Sequence, residues 1–75
     1  MLISDNAQKL YDAIALLGEG KLTEWRLHRY TGFSHGTFIA ARKELCRDGF
    51  LEIEYESRKP CYRLLRKAEV MPQKN

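Results

Sequence analysis

The chain has 75 residues, enough for one domain with a small core and too few for an enlarged catalytic cleft. Its apolar share of 44% is that of a globular protein, and its charged share of 31% is mixed in sign, which argues against wholesale disorder. Lys plus Arg is 13 and Asp plus Glu is 10, a net charge of +3. That excess is local. Residues 1–40 balance Lys9, Lys21, Arg26 and Arg29 against Asp5, Asp12, Glu19 and Glu24, so the surplus lies in residues 41–75. Between Ser57 and Lys67 stand five basic residues and no acidic one. A basic segment gathered at one end of a small domain suits a polyanionic partner, although it is also the composition of a solvated surface. No run approaches the roughly 20 apolar residues that cross a bilayer. Asp5, Asn6, Gln8 and Lys9 break any leader-like start, so the expectation is a soluble cytoplasmic protein without a membrane partner. Two cysteines, Cys46 and Cys61, make no disulfide framework.

In chain order, Asp5 is expected to cap a first helix whose apolar positions Leu10, Tyr11, Ile14 and Leu17 share one face. Gly18 is placed as its left-handed C-terminal cap. Lys21 and Leu22 form a short extended link. Thr23 caps a second helix running through Tyr30, and Gly32 ends it. Ser34 caps a third helix to about Asp48, with Phe38, Ala41 and Leu45 as its buried stripe and the Arg42 stem beside them. Gly36 in its first turn costs up to about 1 kcal/mol relative to Ala, a cost compatible with close approach to another surface.

After Gly49 the period changes to two. Leu51, Ile53 and Tyr55 point one way and Glu52, Glu54 and Glu56 the other. Ser57 to Pro60 reads as a four-residue turn and residues 61–65 as the returning strand. That loop pairs Tyr55 with Tyr62, Ile53 with Leu64 and Glu54 with Arg63. The expected core is Leu10, Ile14, Leu17, Leu22, Leu27, Phe33, Phe38, Leu45, Leu51, Ile53 and Leu64. The domain spans residues 1–67, and 68–75 is a polar tail.

The segments Leu22-Thr23, Leu27, Thr31-Gly32-Phe33-Ser34, Thr37-Phe38, Lys43-Glu44-Leu45 and Gly49-Phe50-Leu51 together resemble, at almost the same spacings, the winged helix-turn-helix DNA-binding domain of bacterial and phage transcription regulators. The resemblance covers roughly residues 5–66, as a helix-turn-helix followed by a wing. It implies an α+β fold of three helices and a small hairpin in a single domain, and the function of a sequence-specific regulator. By position it implies that Ser34, His35, Gly36, Thr37, Ile39, Ala40 and Lys43 face the major groove of double-stranded DNA. It also places Arg58 and Lys59 at the wing tip with Arg63 behind them.

The chain departs from that family's pattern in three places. Ile39 and Ala40 stand where polar or basic residues are usual, and suit either thymine methyls or a protein contact. His28 replaces a small residue where the second and third helices meet. Trp25 and Tyr30 occupy normally exposed positions and point to a covering of the core or a partner surface. The alternative function is therefore a protein-binding module whose face is Ile39, Ala40, Trp25 and Tyr30. His28, His35, Cys46 and Cys61 have no compact ligand spacing, so neither metal nor cofactor is expected. Cys46 is expected to pack at the end of the third helix rather than sense redox state. No nucleophile has a partner motif, so the chain is not read as an enzyme. Without the extra long helix of many dimeric relatives, it is expected to be a weak homodimer or a monomer that assembles on DNA.

Overall fold

The computed structural model describes residues 3–18 and 20–65. The elements run α1 (Asp5–Leu17), β1 (Gly20–Lys21), α2 (Glu24–Thr31), α3 (His35–Arg47), β2 (Leu51–Glu56) and β3 (Lys59–Leu64). Three helices and an antiparallel hairpin form an α+β domain in the winged-helix order. No described helix is long and apolar enough to cross a membrane. The tail read over 68–75 lies outside the described residues.

Each helix begins on a hydroxyl. Thr23 Oγ1 accepts from the Arg26 N–H at 3.1 Å and Ser34 Oγ from the Thr37 N–H at 3.2 Å, so two of the expected caps stand. The cap of α1 is Ser4 and not Asp5: Ser4 Oγ accepts from the Ala7 N–H at 3.1 Å. Ser4 holds this position because Glu44 of α3 receives both its N–H, at 2.8 Å, and its hydroxyl, at 2.7 Å. Asp5 becomes the first residue inside the helix, where its carboxylate faces the positive end of the helix dipole. Gly18 has a positive φ of 102° but a ψ of 136°, so it turns the chain into an extended path rather than a left-handed cap.

That path is β1, where residue type alone suggests only an extended link. Gly20 pairs with Tyr62 and Lys21 with Cys61, giving a three-stranded sheet in the order β1-β3-β2. The hairpin also differs from expectation. Its turn is two residues, Ser57 and Arg58, both left-handed at φ 52° and 69° as in a type I′ turn. Glu56 therefore pairs with Lys59, Ile53 with Tyr62, Glu52 with Arg63 and Leu51 with Leu64. The primed turn wins because its twist matches that of the strands. Pro60 sits in the pair after the closing one, which exchanges no bonds between β2 and β3, and the β1 ladder ends opposite Cys61, so the missing Pro60 N–H interrupts neither ladder. A slip of two residues preserves which face each side chain takes.

The core comprises Ala7, Leu10, Ala13, Ile14, Leu22, Leu27, Phe38, Ala41, Leu45, Phe50, Leu51 and Tyr62. Leu17, Phe33, Ile53 and Leu64, expected within it, are partly buried and pack against it. The register explains Tyr62. Moved opposite Ile53, toward the hairpin base, it becomes fully buried, while Tyr55 near the tip is 66% exposed. The Tyr62 hydroxyl finds no hydrogen-bond partner among the described residues. Burial raises its pKa, and the nearby Arg42 guanidinium offsets part of that rise.

Candidate nucleic-acid interface

The turn between α2 and α3 is held by one buried hydroxyl. Thr31 Oγ1 donates to the Leu27 carbonyl at 2.8 Å and accepts from the Phe33 N–H at 3.2 Å. Gly32 takes the left-handed conformation, φ 74° and ψ 12°, that reverses the chain, a geometry costly for any residue with a Cβ. Ser34 follows as the cap and also donates to Thr37 Oγ1 at 3.0 Å. Three residues thus fix where α3 starts and how its first turn is presented.

Along α3, Phe38, Ala41 and Leu45 face inward, so the outward stripe is Gly36, Ala40, Lys43 and Arg47 at helical spacing. Three of these are candidates from the sequence. Arg47 is not, although the i+4 step from Lys43 marks it; its guanidinium pairs with Asp48 at 3.3 Å. Thr37 and Ile39 flank the stripe and are half-buried, Ile39 against the core. Ser34 and His35 are exposed, but His35 turns back toward α2: its Nδ1 lies 3.4 Å from Glu24 Oε2 and its ring stacks on that of His28 at 5.9 Å. A Cβ added to Gly36 would meet nothing within 4 Å, so the fold itself makes no use of that glycine.

The hairpin supplies charge of both signs. Arg58 and Lys59 are exposed at and beside the turn. Behind them, Arg63 pairs with Glu52 and not, as the expected register had it, with Glu54. Glu52, Glu54 and Glu56 share the outer face with Lys59, Cys61 and Arg63; with Arg58 the described hairpin holds three acidic and three basic side chains, and the adjacent basic pair Arg58 and Lys59 lies at the tip. Arg66 and Lys67, the end of the acid-free run, lie outside the described residues.

The apolar candidates separate. Trp25 and Tyr30 on α2 are 63% and 50% exposed and line an open depression with Leu17, Arg26 and Arg29. The Arg29 guanidinium lies 5.0 Å from the centre of the Trp25 ring. They do not cover the core, and Ile39 is spent on it instead. Cys46 is exposed, contrary to its expected packing role, because its helical phase sets it beside the buried stripe and not within it. What burial it has raises its thiol pKa, with Arg42 opposing, the reverse of what a reactive thiol requires. His28 and His35 stand on separate elements, as their spacing implied, yet the short turn brings both rings to Glu24.

Comparison of the chain with family models, with curated proteins and with solved structures finds no match.

Proposed function

We propose that the chain binds double-stranded DNA as a small winged-helix transcription regulator of the prokaryotic or phage type, acting in the cytoplasm. In this reading α3 enters the major groove and the hairpin tip rests on the phosphate backbone. One observation carries it: α3 presents an open stripe of Gly36, Ala40, Lys43 and Arg47 whose glycine serves no contact inside the fold. Gly36 lies in the first turn, where glycine costs less than the roughly 1 kcal/mol it costs against Ala in a helix interior, and a surface that approaches the backbone closely accounts for that remaining cost. The Ser34-capped first turn adds N–H groups and short side chains that suit phosphates and base edges. Arg58 and Lys59 contribute charge without base information.

Salt titrations on specific and random duplexes test this. Changing Arg58 and Lys59 together to Ala weakens both kinds of binding and flattens the slope of log affinity against log salt by about 2, one unit per lost phosphate contact. Changing Gly36 to Ala leaves the fold at least as stable and weakens binding to the preferred site. Sedimentation without DNA is expected to find monomer or weak dimer. A wild-type chain that binds no duplex removes the DNA reading.

The second reading is a protein-binding module. It rests on Trp25 and Tyr30, which with Leu16, 66% exposed, leave large apolar side chains open on α1 and α2. Loss of a protein contact on Trp25→Ala, with DNA affinity absent in the wild type, would favour it.

A further inference from the structure

We infer that Glu24, His28 and His35 form a binding site for one divalent transition-metal ion of the zinc class, bridging α2 to the first turn of α3. Glu24 and His28 are one helical turn apart on α2, and His35 is the first residue of α3. The three potential ligand atoms lie within 4.8 Å of one another. Glu24 Oε2 is 3.4 Å from His28 Nε2 and 3.4 Å from His35 Nδ1. A tetrahedral zinc ion with bonds of about 2.0–2.2 Å sets its ligand atoms about 3.3–3.6 Å apart. Two of the three separations already have that value. The third closes by rotation of the His35 ring, whose side chain is 75% exposed.

The protonation pattern fits as well. His28 Nδ1 lies 3.1 Å from the Phe33 carbonyl oxygen, which can only accept, so Nδ1 carries a proton and donates it. In the neutral ring that leaves the Nε2 lone pair aimed at Glu24. An imidazole that donates its second nitrogen to a backbone carbonyl is oriented as metal-ligating histidines are. The Phe38 ring, centred 4.6 Å away, packs against the His28 imidazole and restrains it. Two imidazoles and one carboxylate select zinc, nickel, cobalt or copper over magnesium or calcium, which prefer all-oxygen sets. The fourth position opens to solvent for water. Both histidines of the chain are used, and neither cysteine belongs to the group.

The site stands on this geometry and does not depend on DNA binding. The simpler account is that Glu24 merely pairs with two imidazoles and holds the turn. The two differ in metal uptake. The full chain, carrying Cys46→Ser and Cys61→Ser to remove thiolates and stripped with a chelator, is titrated with Zn²⁺ by calorimetry and with Co²⁺ by visible absorption. Expected are one ion per chain, the intense visible bands of four-coordinate Co²⁺, and a joint shift of both imidazole NMR signals. His35→Ala and Glu24→Gln, checked for unchanged helical circular dichroism, each lower the affinity by about tenfold or more. No saturable uptake by the parent chain overturns the site. So does uptake that either substitution leaves unchanged.

Discussion

In the helical body, Ser4, Thr23 and Ser34 start the helices, and a 3.6-residue period carries Leu10, Ile14, Leu27, Phe38 and Leu45 inward. In the hairpin, the alternation of Leu51, Ile53 and Tyr55 with three glutamates sets which face is inner, but burial decays along the strand from Leu51 to an exposed Tyr55. The body is thus specified locally, by caps and spacing within single segments. The hairpin is specified by its turn, two residues whose backbone decides which side chains meet across the ladder. Function divides along the same line in the proposed reading: the body offers a helix face of two small residues, Gly36 and Ala40, and two basic ones, Lys43 and Arg47, and the hairpin adds the exposed pair Arg58 and Lys59 at its tip.

The largest effect is expected in the body. Phe38 is fully buried, with the Arg42 guanidinium 5.4 Å and the His28 ring 4.6 Å from its ring centre. Phe38→Ala costs about 3–5 kcal/mol, enough to unfold a domain of this size. Thermal or urea denaturation showing a loss below about 1 kcal/mol would break the helical phase assigned to α3.

The hairpin answers to its turn. Ser57 and Arg58 hold positive φ values that L-residues adopt at a cost of about 1–2 kcal/mol each. Replacing them by Asn and Gly is expected to stabilise the fold by about 1 kcal/mol while weakening DNA binding through the lost arginine. Destabilisation by this pair would favour the four-residue loop over the two-residue one.

The smallest effect sits where body and hairpin meet. Tyr62→Phe removes a buried hydroxyl that has no hydrogen-bond partner among the described residues and is expected to raise stability by about 1 kcal/mol at neutral pH. A comparable loss instead would mean that Arg42 bonds the hydroxyl. The raised pKa adds a pH dependence. The folded chain holds the Tyr62 proton more tightly than the unfolded chain, whose tyrosines ionise near 10. This contribution is therefore intact below about pH 10 and is lost as pH rises through the folded value. Alkaline denaturation of Tyr62→Phe is expected to be correspondingly shallower.

These differences also mark what was legible beforehand. Element order, the caps at Thr23 and Ser34 and the inner faces of the strands follow from residue type and period. The Ser4 cap was hidden because Glu44, forty residues away, decides it. Pro60 looked like a turn residue, and nothing local says that a non-ladder position will absorb it. Of the candidate interface, Gly36, Ala40 and Lys43 could be read from helical phase, as Arg47 could have been. The convergence of His28 and His35 on Glu24 could not, since it depends on the angle that the Thr31–Ser34 turn imposes.

The acidic outer row of the hairpin has a consequence for how copies of the chain tolerate one another. Among the described residues β2 is an edge strand of the sheet, the kind of strand that can template pairing with a foreign one. Glu52, Glu54 and Glu56 alternate along it. A second β2 approaching edge to edge would set glutamates against glutamates, which repels the amyloid-like pairing that an uncharged edge invites. The same carboxylates that offset the basic side chains of the hairpin thus oppose pairing between copies of the chain.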